Sequence, residues 1–180
     1  MIDFNFKDTT KNFIELNGFT TLTKVQEACV KMAKKGKDIV AISPTGTGKT
    51  HAFLIPIMEL VDTKEDVTQV VISLPTKELA IQLADRLKTA KEVLKDLRVL
   101  LLSSGIDSLK AKNKLKRAPH IIIGTPGKIK ELFDDNSLRV DSVKLYVIDE
   151  ADMTLEYGFL EDIDKVFAKM PENLEVMCFS

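Results

Sequence analysis

Six short apolar runs punctuate the chain: DIVAIS (38–43), QVVISL (69–74), RVLLLS (98–103), HIIIG (120–124), KLYVID (144–149) and EVMCFS (175–180). Each is continuously apolar rather than alternating, the pattern of a strand covered on both faces. Between them lie longer amphipathic stretches. Over 76–95, Leu79, Leu83, Leu87, Ala90 and Leu94 recur at helical spacing and predict one buried face. Strand–helix alternation of this kind predicts an α/β fold with a mainly parallel sheet, right-handed crossovers and helices on both faces. The basic run LKAKNKLKRA (109–118) reads as a solvated helix face.

In an open parallel sheet, ligands bind beyond the carboxyl ends of the strands. The segments 43–50, 75–80, 124–128 and 149–152 each follow a predicted strand. Their shared position predicts one functional edge.

The first of these carries the clearest chemistry. After DIVAI comes SPTGTGKT, Ser43 to Thr50. Gly46 and Gly48 permit turns and close backbone approaches that a side chain would obstruct. Backbone N–H groups over 46–50, Thr47 included, and the start of the following helix then form a cradle for phosphates. Lys49 reaches the β- and γ-phosphates and neutralises developing charge, and the Thr50 hydroxyl can ligate Mg²⁺. The Lys49 side chain is expected to stand exposed in this cradle. His51 is expected on the helix surface, and Pro56 is expected to kink the helix or loosen a turn. Asp149 ends a second apolar strand, where an acid helps hold Mg²⁺ brought by a phosphate loop; Glu150 would orient the attacking water.

Bulk properties narrow the setting. The 180 residues suit one domain or one lobe of a larger protein. The net charge is -1, so binding to a polyanion would have to be local rather than driven by a basic excess. Cys29 and Cys178 show no metal or redox spacing and fit buried thiols in a reducing compartment. No signal peptide and no membrane-spanning run are visible, so a cytoplasmic protein without membrane contact is expected.

At the motif residues the chain resembles the first RecA-like domain of the DEAD-box RNA helicases of superfamily 2. SPTGTGKT is similar to A-x-T-G-x-G-K-T, with Thr45 at its third position, and DEAD stands at 149–152. PTKELA (75–80) is similar to P-T-R-E-L-A, and TPGK (125–128) to T-P-G-R, with lysine for arginine at Lys77 and Lys128. SSG (103–105) resembles the family's Gly-Gly element. GFTTLTKVQ (18–26) resembles the adenine-reading segment G-F-x-x-P-T-x-I-Q, with Leu22 where proline is usual. CFS, ending at Ser180, is similar to the start of F-S-A-T.

The resemblance implies a single RecA-like P-loop NTPase domain over 1–180, with an adenine-reading segment in 1–36. A second RecA-like domain, absent from this sequence, would complete the enzyme. It implies that ATP and Mg²⁺ are the cofactors and RNA the partner. Gln26 would read adenine through an amide that both donates and accepts. Thr23 would buttress that segment and Phe4 would stack on the base. RNA phosphates would cross Pro75, Thr76, Lys77 and Glu78, then Gly105, then Thr125, Pro126, Gly127 and Lys128. Both lysine-bearing segments open predicted helices, whose N-termini attract phosphate. Asp152 and Ser180 would couple the site to the second domain. A superfamily 2 translocase on DNA, or a nucleotide-binding adaptor that unwinds nothing, are the alternative readings.

Overall fold

The computed structural model describes residues 4–44, 46–102, 117–134 and 139–180. Its strands are β1 (Ile39–Ala41), β2 (Val70–Ser73), β3 (Val99–Leu102), β4 (Ile121–Gly124), β5 (Leu145–Ile148) and β6 (Glu175–Phe179). Its helices are α1 (Asp8–Leu16), α2 (Lys24–Ala33), α3 (Lys49–Leu60), α4 (Lys77–Val93), α5 (Pro126–Asp134), α6 (Ala151–Glu156) and α7 (Leu160–Phe167). Each apolar run is therefore a strand, trimmed by one or two residues at its ends. All the pairings are parallel, in the order β1-β6-β5-β2-β4-β3.

Successive strand side chains point to opposite faces, and the core divides accordingly. Val70, Ile72, Ile121, Ile123, Leu145 and Val147 pack under α1 to α4. Val71, Ile122, Tyr146 and Ile148 pack with residues of α5 and α7, among them Ile129, Phe133 and Val166. The edge strand β1 departs from the two-sided burial predicted for it: Val40 is 76% exposed. It pairs with β6 alone, and no described element covers the outer face of Val40.

β5 and β6 insert between β1 and β2, although the chain forms β1 and β2 first. The helix leaving β1 packs on one face, and the residues after β5 pack on the other. Such a switch opens a crevice beyond the strand ends. Pro56 sits inside α3, which continues through it to Leu60. The burial of Phe53, Leu54, Ile55 and Ile57 around it compensates the lost backbone hydrogen bond. The basic run 109–118 lies outside the described residues except at its end, where Arg117 pairs with Asp66 at 3.2 Å.

Candidate functional site: a phosphate cradle facing two acids

The phosphate loop is tied down from both sides. Ser43 N–H donates to the Ser180 carbonyl, and Ser180 N–H to the Ala41 carbonyl, each at 3.0 Å, extending the β1–β6 ladder to the loop. Thr47 Oγ1 donates to the Pro44 carbonyl and lies 2.9 Å from Ser43 Oγ. Gly46 and Gly48 have φ of 82° and 91°, which a side chain rarely tolerates. Gly48 is required twice over, because a Cβ there would meet Gln26 Nε2 at 2.6 Å.

That contact shows what Gln26 does in the structure. Its Oε1 accepts from Thr23 N–H at 2.9 Å, and the Thr23 side chain accepts from Gln26 N–H, a capping box that starts α2. Its Nε2 donates to the Gly48 carbonyl at 3.3 Å. Gln26 is fully buried, so it links the N-terminal segment to the phosphate loop. Phe4 is half-buried. Its ring packs on Phe6 at 5.4 Å and helps to line a cleft of about 390 Å³ with Phe19 and Thr20; Gln26 is not among the lining residues. Phe6 itself is core, 4% exposed.

Lys49 corrects the expectation of an exposed side chain: it is 9% exposed, because it sits at the first turn of α3 inside the crevice rather than above it. His51 is half-buried rather than fully exposed on the helix surface. It hydrogen-bonds Asn17 Oδ1 at 3.1 Å and meets the Phe19 ring edge-on at 4.7 Å. Burial, with the charge of Arg86, lowers its pKa.

Asp149 and Glu150 close the crevice from β5. Asp149 N–H donates to the Ser73 carbonyl at 3.0 Å, so the acid is placed by the sheet ladder. The residue is 8% exposed, and burial, then the neighbouring Glu150, push its pKa up to about 6. Glu150 has φ 51°, the one positive φ outside glycine among the described residues. The left-handed conformation costs about 1–2 kcal/mol and turns the chain from strand into α6. Asp149 Oδ1 accepts from Glu150 N–H at 3.1 Å, and Thr154 Oγ1 donates to the Glu150 carbonyl at 2.9 Å, which holds the turn. Thr50, Asp149 and Glu150 line one cavity of about 140 Å³. A hydroxyl and carboxylates are the hard oxygen donors Mg²⁺ takes, in the small number that leaves room for phosphates. Among the described residues no group of three or more His, Cys, Asp or Glu could hold a metal without such help.

The pKa of Asp152 is lowered, chiefly by the Met153 N–H, with a smaller contribution from the Ser180 hydroxyl. Both lysine-bearing segments start helices at the same edge, after the paired strands β2 and β4. Leu74 N–H donates to the Gly124 carbonyl at 3.0 Å, placing the segments side by side. Thr76 caps α4 by accepting from Leu79 N–H. Pro75 and Pro126 are buried, Glu78 is exposed, and Thr125, Gly127, Lys77 and Lys128 are half-buried. Lys128 pairs with Glu131 at 2.6 Å. Thr45 and Gly105 lie outside the described residues. Sequence reasoning missed Arg86 and Gln82 of α4, which line the cavity of the acids; their i, i+4 spacing behind PTKELA was the available signal.

Among the described residues, no helix is long and apolar enough to cross a membrane. Among solved structures, a DEAD box protein from the hyperthermophile Methanococcus jannaschii matches with a TM-score of 0.90 and 33% identity, over 99% of this chain and 48% of that one. The DEAD-box ATP-dependent RNA helicase CshB of Listeria monocytogenes is 43% identical over 178 residues, 98% of this chain and 41% of that protein. CshB of Bacillus subtilis is 41% identical over 165 residues, 91% of this chain and 38% of that protein. The chain thus spans about two fifths of the length of these relatives. The family model for DEAD/DEAH box helicases matches residues 23–180, which include the phosphate cradle and both acids. On this match, and on the geometry that joins the cradle to Asp149 and Glu150, the chain belongs to the DEAD/DEAH box helicase family.

Proposed function

We propose that the chain is the ATP-binding RecA-like domain of an ATP-dependent RNA helicase, which couples ATP hydrolysis to RNA unwinding or to remodelling of RNA–protein complexes. The observation that carries this is the single cavity shared by Thr50, Asp149 and Glu150 beside the phosphate loop. The names of the helicase relatives support the same reading.

Backbone N–H groups of 46–50 bind the phosphates of ATP, and buried Lys49 meets the γ-phosphate where solvent screens it little. Thr50 and Asp149 would hold Mg²⁺, which when bound neutralises charge on the phosphate oxygens. Glu150, aimed by its left-handed backbone, orients water for in-line attack. Gln26 has one donor and one acceptor lone pair beyond its two hydrogen bonds. These meet the adenine edge, with Phe4 as the stacking ring and Thr23 as support. RNA phosphates run over Pro75–Glu78 and Thr125–Lys128, with Gly105 continuing the track. Asp152 and Ser180 pass the state of the site to a second RecA-like domain. The two free thiols, Cys29 and Cys178, suit a reducing, cytoplasmic setting.

The test is phosphate release with and without single-stranded RNA, on residues 1–180 and on a chain extended by the second domain. The second RecA-like domain would supply arginines that reach the γ-phosphate, and such arginine fingers are worth on the order of 10³–10⁵ in rate. Residues 1–180 alone should therefore bind ADP and ATP yet turn over barely above background, without RNA stimulation or unwinding. The extended chain should gain RNA stimulation and separate a short RNA duplex. RNA-stimulated turnover by 1–180 alone would refute the two-domain mechanism; equal stimulation by DNA would remove RNA as the substrate.

A further inference from the structure

The cavity of the acids has a cationic wall that no motif predicts. Leu79, Gln82, Leu83 and Arg86 all line it. Their spacing, three and four residues apart, is one stripe of α4. Leu83 is 3% exposed and anchors that stripe in the core. Arg86, one turn beyond Gln82, brings a permanent charge to the cavity that Asp149 and Glu150 share. Among the described residues it forms no ion pair, whereas its neighbour Asp85 pairs with Lys88 at 2.8 Å.

We propose that Arg86 is a positioning residue that serves as an internal counter-charge for Asp149 and Glu150 and lowers their affinity for a bare divalent cation. Without a counter-charge, two adjacent carboxylates in a half-closed cavity repel one another and recruit any free cation. With Arg86 present, the acids are partly neutralised and a metal gains less by entering alone. A metal arriving with nucleotide brings phosphate ligands that outweigh the arginine. Arg86 thus biases the site toward loading metal and nucleotide together. This rests on the reading that Thr50 and Asp149 hold Mg²⁺.

The experiment titrates Mn²⁺, followed by electron paramagnetic resonance, into nucleotide-free residues 1–180 at low salt. Wild type is compared with Arg86→Lys, Arg86→Gln and Arg86→Glu. Lysine should match wild type. Glutamine should tighten Mn²⁺ binding by roughly 2- to 5-fold, the size of one solvent-screened charge interaction. Glutamate should tighten it further, and the differences should shrink at high salt. A packing role would instead affect Lys and Gln alike and would ignore salt. Equal affinities across the series, or a shift in Arg86→Lys as large as in Arg86→Gln, would overturn the proposal. An Asp149→Asn control separates the two layers. Binding lost in that control with a flat Arg86 series rejects only the counter-charge. Binding unchanged in that control rejects the metal site and the counter-charge with it.

Discussion

The proposed nucleotide side and the proposed RNA side of the same edge are built on different principles. Around the phosphate loop the key groups are cross-tied, Gln26 to Gly48, Ser43 to Ser180 and Asp149 to Ser73, and Gln26 is fully buried. Lys49 and Asp149 are each under a tenth exposed. On the RNA side the helix starts are partly open, and their lysines are half-buried or paired on the surface. Buried electrostatics act at low effective dielectric and depend on angstrom-scale placement. Phosphate contacts on an open surface tolerate error and act through many small terms. On the proposed function, one side positions a reaction and the other holds a polyanion of any sequence.

If that contrast holds, single changes on the nucleotide side should be drastic. Lys49→Ala should remove fluorescent-ADP binding, a loss of at least about 30-fold for a buried charge at the phosphate loop. Gly48→Ala should do nearly as much through strain at φ 91° and collision with Gln26. Circular dichroism should show both variants folded. ADP affinity within a few-fold of wild type in either would erase the contrast.

Asp149 sharpens the contrast through pH. Its folded pKa is raised to about 6 from an ordinary 3.8, so the folded protein holds this proton longer than the unfolded chain. The stability this contributes is complete below about pH 4 and is lost as pH rises through about 6, on the order of 1–3 kcal/mol. Nucleotide-free Asp149→Asn should therefore melt higher than wild type at pH 7.5 and level with it at pH 4. Identical melting at both pH values would mean that burial of this acid carries no penalty.

Gln26 tests whether the tie to Gly48 also reads the base. Guanine presents a carbonyl where adenine has an amine, a mismatch worth about 1–3 kcal/mol, or roughly 5- to 150-fold. ADP should outcompete GDP by that margin, and Gln26→Ala should narrow it while weakening both nucleotides through the loosened loop. Equal competition in wild type would leave Gln26 as a structural tie alone.

The smallest effects belong to the RNA side. Lys77→Ala should weaken single-stranded RNA binding and reduce the salt slope by about 0.7, the share of one phosphate contact. Lys128→Ala should do less, because Lys128 is already held by Glu131, and Glu131→Gln should tighten RNA slightly. Binding titrations at several salt concentrations read all three. A Lys128 effect larger than that of Lys77, or a salt-independent affinity, would contradict an open electrostatic track.

What could be read in advance follows the reach of each signal. The strands, α4 with its Thr76 cap, and the loop glycines are local patterns, legible in the chain itself. Phe4 and Phe6 look alike in sequence and both line one cleft, yet Phe6 is buried in the core while Phe4 is only half-buried, a difference set by what packs over each ring. His51 reads as a fully exposed surface position until Phe13 of α1 and Phe19 partly cover it.

By itself, the sequence determined the alternation of elements, the phosphate loop and the acids at a strand end, since apolar period and glycine placement act over a few residues. Only the tertiary structure decided that Lys49 is buried, that the Gln26 amide holds Gly48, and that Arg86 faces the acids. These depend on β5 and β6 inserting between β1 and β2. That insertion brings residues distant in the chain to one crevice, where burial and low dielectric set what each charge can do.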